Sequence, residues 1–428
     1  MGKKTKLSSK IIVMLCCLCI SAGIRAQQQE QELTPGETAK QEIESLENTV
    51  RKLRKFNVSG YIQSQYQQGG KDAALTVGAP NEDPERSFSR IGIRRGRIKF
   101  VYEENIASGT FQLDITEKGV GLKDAYLQIK VPWRHTLSLK AGVFNRPFGN
   151  EISYSSSRRE SPERSTITQT LFPEERDLGV QFVLQAAGTS PLHFLKLEAG
   201  LFAGNGVKQE TDRRKDFIGR LSAERNLGSN IIISGGISCY NGGVYQGSET
   251  IFTMKDKTFV ADNNSKNKGR FAKREYFGID AEAGWSGLAG MSRLRAEYLW
   301  GKQPGSVAGS KSPNTSILPV SDTYIRDFRG GYIIFIQDFG HIPLSVALKY
   351  DRYDPNTQVN GNDIGTNGTS AGDIASDAFG FGLLWHVNDH LHVQAYYEIN
   401  RNETTENMLA YRNDRQDNVF TLRLQYKW

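Results

Sequence analysis

VFTLRLQYKW, residues 419–428, ends the chain with a strict alternation of apolar and polar side chains. The even-numbered residues from Phe420 to Trp428 are apolar or aromatic, and the odd-numbered residues from Thr421 to Lys427 are polar or charged. Because strand side chains point to opposite faces with a period of two, one face of this strand is apolar and the other polar. A strand of a soluble sandwich can alternate in the same way. The position at the end of the chain favours an outer-membrane β-barrel, which closes on its last strand and places aromatic side chains at the membrane interface.

The N-terminus has the pattern of a secretory signal peptide. Lysines between Lys3 and Lys10 precede an apolar run from Ile11 to Ile20, and Ala26 suits a cleavage position. The apolar run is too short to cross a bilayer as a helix. We therefore predict a signal peptide over residues 1–26. Of the four cysteines, this leaves only Cys239 in the mature chain, so we expect neither an intrachain disulfide nor a thiolate metal site.

The composition of the remaining chain fits a barrel with a wet interior. No stretch after Ile20 approaches the roughly 18 apolar residues of a membrane helix, which argues against a helical membrane protein. The hydrophobic fraction is 38% and the mean hydropathy is −0.49, as expected if half of each strand faces water. The formal net charge of +7 falls to about +2 without the five basic residues of the signal peptide. Net charge therefore indicates neither nucleic acid nor an anionic ligand.

A helix is predicted between Thr38 and Lys55. Four apolar residues recur in it with heptad spacing, flanked by charged residues: Ile43, Leu46, Val50 and Leu53. This pattern covers fewer than three heptads and is too short to be stable alone. Two interpretations stay open, a solvated spacer and a short coiled coil between protomers. We assign residues 27–55 to a periplasmic N-terminal segment.

From Phe56 onward the hydrophobic period is two, and we assign residues 56–428 to the barrel. Sixteen candidate strands follow, at 56–68, 88–102, 106–116, 120–131, 136–144, 177–187, 193–203, 216–226, 230–240, 273–285, 291–301, 325–338, 342–353, 377–387, 391–401 and 417–428. Tight connections alternate along the chain with connections that are mostly long; the short exception is 117–119. This is the asymmetry of short periplasmic turns and long extracellular loops. We therefore predict an all-β, 16-stranded antiparallel transmembrane β-barrel with a short N-terminal periplasmic helix.

A run of basic residues lies on the second candidate strand. Arg86 to Lys99 contains six basic residues and no acidic one. Arg95, Arg97 and Lys99 share a face, which should be the lumen, because a lipid-facing Arg near the midplane costs roughly 2–4 kcal/mol. The first half of the strand is out of phase, and a β-bulge near Gly92 or Gly96 would restore the alternation.

Two interpretations of these cations stay open. Rings of Arg and Lys favour anions in pores, so the row could guide anions through the lumen. Alternatively, the arginines pair with acidic residues across the lumen and only shape it.

The connection over residues 145–176 is the longest uninterrupted polar one. It carries five arginines and five glutamates, so its net charge is zero. A loop of this length in a compact domain is usually functional. Folded into the barrel it would narrow the pore; otherwise it is an extracellular flap.

Six stretches together resemble the phosphate-selective porin O/P family, in the form common in Bacteroidetes. They are GYIQSQY (60–66), RRGRIKF (94–100), LKDAYLQI (122–129), AGVFNRPFGNE (141–151), SSSRRESPER (155–164) and FPEERDLGVQF (172–182). The resemblance is densest over 57–182 and continues loosely to Trp428. It implies a sixteen-stranded trimeric porin whose third loop folds inward and whose pore is lined by basic residues. By this resemblance, Arg94 and Arg95 match paired arginines after the first long loop, and Arg158 and Arg159 lie in the constriction loop.

The candidate pore-lining and anion-binding residues are Arg94, Arg95, Arg97, Lys99, Arg158 and Arg159. The predicted function is an outer-membrane porin for passive diffusion of small hydrophilic solutes, favouring anions such as phosphate. The expected partners are such solutes, outer-membrane lipid and two further copies of the chain, with no nucleic acid and no cofactor.

Two alternatives stay open for the pore, a weakly selective nutrient-uptake porin and a structural barrel tethered by its N-terminal helix. An enzyme is not expected. The sequence contains no metal-binding pattern, and its GxSxG match at residues 368–372 lies in the predicted long loop 354–376 and not between a strand and a helix, as a nucleophile elbow would. His386, His390 and His392 surround one turn, but without a cysteine or a nearby carboxylate pair.

Overall fold

The computed structural model describes residues 35–132 and 136–428, and the predicted signal peptide lies outside them. The chain divides into two compact units, one ending at Lys55 and the other running from Phe56 to Trp428. In the first unit, helix α1 covers Pro35–Arg54, which confirms the helix predicted over residues 38–55. The heptad residues of α1 are between 46% and 63% exposed within this chain. Among the described residues, no helix is long and apolar enough to cross a membrane.

The second unit is built from antiparallel strands that pair in chain order. The first nine are β1 (Phe56–Gly69), β2 (Phe88–Glu104), β3 (Ala107–Thr116), β4 (Gly119–Lys130), β5 (Leu137–Asn145), β6 (Arg176–Gln185), β7 (Leu195–Phe202), β8 (Asp216–Leu227) and β9 (Ile231–Tyr245). The last seven are β12 (Phe271–Gly287), β13 (Gly290–Gly305), β14 (Thr323–Phe339), β15 (Leu344–Asp354), β16 (Ser376–His386), β17 (Leu391–Asn402) and β18 (Val419–Lys427). β9 pairs with β12, and β18 pairs with β1. These sixteen strands close into a barrel, which confirms the predicted fold.

The burial pattern of β18 shows that the outer face of the barrel is apolar and the inner face polar. Leu422 and Leu424 of β18 are about half exposed, whereas Thr421, Arg423 and Gln425 are buried toward the interior. The pairing of Tyr61 with Lys427 begins the ladder that joins β18 to β1. Because β18 pairs with β1, the edges of the sheet are closed and the backbone N–H and C=O groups of the strands find hydrogen-bond partners within the barrel. Together with the apolar outer surface, this allows the barrel to lie in a membrane. The fold is therefore that of a transmembrane β-barrel.

A β-bulge in β2 restores the alternation of the basic strand. The register shifts between Gln63 and Ser64, which pair with Arg95 and Ile93, so that Arg94 is the extra residue. Ile91 is therefore 79% exposed on the outer face, while Arg95 is buried inside. The bulge lies between Gly92 and Gly96, where the sequence analysis places it.

Several long connections are folded, which the sequence analysis did not predict. The connection over 246–270 contains a hairpin of β10 (Thr250–Lys255) and β11 (Thr258–Asn263), and β10 runs parallel to the start of β14. The connection over 146–175 contains the helix α2 (Thr166–Leu171). The hairpin was missed because the loop around it is long and polar, and six-residue strands carry little periodic signal.

Candidate functional site: the lumen and its inner loop

The 146–175 connection, here called the inner loop, lies inside the barrel. Five of its apolar side chains are almost completely buried: Phe148, Ile152, Ile167, Leu171 and Phe172. They pack against the inner wall in one core, whose wall members are Phe144, Phe202, Ile218, Tyr240, Tyr276, Leu299, Phe328 and Tyr353. Of the two alternatives for this loop, the structure adopts the inward one, and the loop narrows the lumen.

Backbone and carboxylate contacts fix one side of the inner loop to β13 and β15. Glu297 Oε2 accepts hydrogen bonds from the backbone N–H groups of Asn150 at 3.1 Å and Glu151 at 2.9 Å. Gly149 is in the left-handed region at φ 59°, and a Cβ there would lie 1.7 Å from Glu297 Oε1. The close approach of the loop to the wall therefore requires glycine at this position. On β15, Asp351 Oδ2 accepts from the N–H of Thr166 at 2.8 Å.

The other side of the inner loop is fixed by Glu163, on which four arginines converge. Arg94 donates two hydrogen bonds to the Glu163 carboxylate, at 2.7 and 2.8 Å. The guanidinium groups of Arg95 and Arg423 each lie 3.4 Å from it, and that of Arg159 lies 4.0 Å away. We call these five residues the Glu163 cluster. It joins the inner loop to β2 and β18 through charge-assisted hydrogen bonds.

The predicted arginines of β2 face the lumen, but the inner loop covers them. Arg95 and Arg97 are each 4% exposed. Arg97 donates to Asp114 Oδ2 at 3.2 Å and to Ser156 Oγ at 3.3 Å. These contacts match the interpretation in which the arginines pair with acids and shape the lumen. Glu163 was not predicted from the sequence as a partner of these arginines, and it lies 69 residues after Arg94.

Three other predicted residues differ in their surroundings. Lys99 is half-buried on the inner face of β2, and among the described residues it makes no ion pair within 4 Å. Arg158 is exposed, with its guanidinium 5.5 Å from the centre of the Tyr154 ring. Arg159 is buried and donates to the carbonyl oxygens of Ser161 at 3.2 Å and Pro162 at 2.8 Å. Among the described residues, Lys99 and Arg158 are therefore the predicted cations without a carboxylate within 4 Å, whereas Arg94 lines a cavity but is paired with Glu163.

Lys140 is a further lumenal cation that was not predicted from the sequence. It lies on the inner face of β5, with its Nζ 4.1 Å from the centre of the Tyr126 ring. In the part of the chain that the structure describes, Lys140 has no carboxylate within 4 Å. Its signal in the sequence is its place between Ser138 and Gly142 on the polar face of a predicted strand.

Cavities lie around the inner loop. One of about 640 Å³ is bounded by the loop and by β2 to β4, and four of its cations are Arg94, Lys118, Lys123 and Lys311. A second, of about 770 Å³, includes Lys140 and the inner faces of β6 to β9. A third, of about 320 Å³, includes Arg158 and the inner faces of β16 to β18. Each cavity also has acidic residues in its wall, but arginines and lysines outnumber them in all three.

Two of the histidines, His386 and His392, lie together in the wall of the third cavity. His386 Nε2 lies 2.7 Å from Ser345 Oγ, and His386 Nδ1 lies 3.1 Å from His392 Nδ1. Ser345 is 1% exposed in this wall, and its hydroxyl also donates to Asp338 Oδ1. Among the described residues, no group of three or more His, Cys, Asp or Glu side chains could hold a metal ion.

We predict that the Glu163 cluster keeps its ion pairs from neutral pH down to mild acid. Burial opposes ionisation of Glu163, but Arg94 and Arg95 outweigh it and hold the pKa of its carboxyl well below the usual range. A carboxyl whose pKa is lowered by folding stabilises the fold fully above its unfolded pKa of about 4.3 and loses that contribution as the pH falls toward the folded value. The difference in single-channel conductance between the wild type and Glu163→Gln should therefore be constant between about pH 8 and pH 5 and shrink only in stronger acid. Loss of this difference near neutral pH would contradict the prediction.

Comparison with known proteins gives a fold and no family. No family model matches the chain, and no curated protein matches its sequence. Solved structures of outer-membrane proteins do match over 87% of the chain. OmpT of Vibrio cholerae in its trimer form has 12% identity, is covered over 99% of its length and has a TM-score of 0.50.

Two further structures share the fold. The outer membrane channel DcaP of Acinetobacter baumannii has 10% identity, is covered over 97% of its length and has a TM-score of 0.51. Salmonella typhi OmpF, in complex with daunomycin, has 10% identity, is covered over 97% and has a TM-score of 0.53. Each match also spans 87% of the present chain. At these identities the likeness establishes the porin-like barrel fold.

Proposed function

We propose that this protein is an outer-membrane channel, without enzymatic activity, through which small hydrophilic solutes diffuse passively and anions pass preferentially. Sixteen-stranded barrels leave an aqueous interior, and here an inner loop divides that interior into narrower spaces. The observation that carries the anion preference is the exposure of Lys99, Lys140 and Arg158 to the lumen without a carboxylate within 4 Å among the described residues. Accessible cations in a narrow pore attract anions.

The six candidate residues divide into two roles in this proposal. Lys99 and Arg158 meet the passing solute, together with Lys140. Arg94, Arg95, Arg97 and Arg159 hold the inner loop and set the width of the passage through their ion pairs and carbonyl contacts. The resemblance to phosphate-selective porins supports phosphate as one of the anions.

A weakly selective nutrient-uptake pore is the second candidate. It is favoured by the pairing of Arg95 with Glu163 and of Arg97 with Asp114, which leaves Lys99 as the member of the 94–99 run without a carboxylate within 4 Å among the described residues. The two candidate functions differ in whether the unpaired lysines, Lys99 and Lys140, are sufficient to make the pore selective for the charge of the solute.

Swelling of liposomes that contain the purified protein tests the proposal. Glucose and gluconate have almost the same size and differ in charge. We expect both to enter, with gluconate entering faster at low ionic strength, because screening weakens the field of the lumenal cations at high salt. Equal rates at all ionic strengths would support the weakly selective pore, and no swelling with either solute would contradict a channel.

We also propose that the protein is a homotrimer and that α1 contributes a short coiled coil. The apolar side chains at Ile43, Leu46, Val50 and Leu53 are exposed in the single chain, although they occupy heptad positions that normally face a partner helix. The resemblance to a trimeric porin family and the trimer form of the Vibrio cholerae OmpT structure support the same assembly.

Replacement of Leu46 and Leu53 by glutamate should weaken the trimer. Charged residues at core positions of a coiled coil remove its apolar contact and place like charges together. Sedimentation in mild detergent is expected to show a larger fraction of monomer for L46E/L53E than for the wild type. The control E44A/K52A changes exposed charges on the rest of the helix and should sediment like the wild type. Identical behaviour of all three proteins would mean that α1 is a spacer.

A further inference from the structure

A groove lies on the outer surface of the barrel wall, where β12 to β15 face the membrane. It has a volume of about 600 Å³. Its floor consists of small residues, Ala281, Ala296 and Gly331, at positions where outward side chains elsewhere on these strands are mostly large. A Cβ at Gly331 would lie 2.1 Å from the carbonyl oxygen of Glu297, so this part of the floor must stay open. The groove is therefore built into the strand register.

The two ends of the groove differ in polarity. Ala281, Ala296 and Ile333 lie at one level, because they are successive partners in the β12, β13 and β14 ladders. Gly331 lies two residues nearer the long loops than Ile333 and pairs with Arg352. Arg329 lies a further two residues toward these loops and pairs with Asp354 at the end of β15. The groove thus runs from an apolar end within the wall to a cationic end at the loop rim.

The two arginines are open to a further anion. Arg329 Nε lies 3.4 Å from Asp354 and Arg352 Nη1 lies 3.2 Å from Asp377. Their side chains are nonetheless 55% and 49% exposed, whereas the two carboxylates are mostly covered. A guanidinium has five N–H donors, and each partner here uses a minority of them. The outward donors can therefore bind a phosphate as a charge-assisted pair.

We propose that this outer groove binds an anionic lipid of the outer leaflet, with one acyl chain between Tyr298 and Tyr350 and its phosphate at Arg329 and Arg352. The polarity of the groove matches that of a lipid standing in the leaflet, with the headgroup at the loop rim and the chain toward the midplane. The arginines supply the preference for negative charge, since basic residues near a membrane surface attract anionic headgroups.

Native mass spectrometry of the folded, detergent-purified protein tests this inference. The probes are phosphatidylglycerol and phosphatidylcholine with identical acyl chains. We expect one phosphatidylglycerol per protomer to be retained, with a preference of about tenfold or more over phosphatidylcholine. Equal retention of the two lipids by the wild-type protein would overturn the inference without any variant.

Two variants test the arginine charges and the shape of the groove separately. R329Q/R352Q should lose the preference for phosphatidylglycerol, whereas the control K273Q/K302Q removes two outward lysines outside the groove and should keep it. Ala296→Phe fills the floor and should abolish retention of both lipids, whereas Ala395→Phe on the outer face of β17 should not. Unchanged retention in R329Q/R352Q and in Ala296→Phe would contradict the assigned site.

A second copy of the chain is the competing occupant. Ala296→Cys in a Cys239→Ser background places a single thiol in the groove. Under this inference it should not cross-link to a neighbouring protomer within the native assembly. Efficient cross-linking would identify the groove as a protomer contact and overturn the lipid site.

Discussion

Replacement of Glu163 by glutamine is expected to release the inner loop and to raise the single-channel conductance. Glu163 is the shared counter-charge of Arg94, Arg95, Arg159 and Arg423. Without it, Arg95 keeps only Asp114, at 4.0 Å, and the other three arginines lose their carboxylate within 4 Å among the described residues, so positive charges face one another in a largely buried space. Removal of one member of a buried ion pair costs about 3–5 kcal/mol, and the repulsion among the arginines adds to that cost. The temperature at which the folded barrel unfolds in a gel-shift assay should fall as well.

Glu160→Gln is the matched control for this experiment. Glu160 lies in the same loop, is more deeply buried than Glu163 (4% against 16% side-chain exposure) and pairs with Arg293 and Arg295. Each of these arginines keeps a second acid, since Arg293 pairs with Asp338 at 3.0 Å and Arg295 with Glu282 at 2.9 Å. We therefore expect Glu160→Gln to change conductance less than Glu163→Gln. Equal effects would mean that Glu163 has no special part in holding the loop.

Replacement of Lys99 and Lys140 should change the ion selectivity of the pore. Both face the lumen, and neither has a carboxylate within 4 Å in the described part of the chain. K99Q/K140Q removes two positive charges and should move the reversal potential toward that of a non-selective pore. K99E/K140E replaces them by two negative charges and is expected to reverse the preference, because fixed charge in a narrow pore selects the opposite ion.

The control for the lysines is K273Q/K302Q, which removes the same charge from the outer face of β12 and β13. Lys273 and Lys302 are paired with Glu275 and Asp327 and point away from the lumen. The reversal potential of this variant should equal that of the wild type. If the lumenal and the outer pair produced the same shift, the effect would come from the total charge of the protein and not from the pore wall.

The strands were predictable because each depends on local alternation. The polar face of β18, from Thr421 to Lys427, turns inward because the apolar face must meet lipid. A bulge near Gly92 or Gly96 was predictable from the same alternation, and the register shift at Arg94 lies between these glycines. Long loops alternating with tight turns fixed the direction of each strand.

The surroundings of the arginines were not predictable from their own strand. Arg94, Arg95 and Arg97 have no acidic neighbour within β2 down to Lys99, so the sequence could not decide between an anion path and paired charges. Their partners come from elsewhere, Glu163 from the inner loop and Asp114 from β3. The packing of that loop is equally non-local, because Phe148 and Phe172 meet side chains from β9 and β12 that are distant in sequence.

The reversal potential of the wild-type protein in a planar bilayer, across a gradient of KCl, tests the central claim most directly. The account predicts stepwise ion currents with a reversal potential on the chloride side of zero. A reversal potential on the potassium side would contradict the anion preference assigned to Lys99, Lys140 and Arg158. A purified, folded barrel that inserts and passes no current would contradict the channel itself.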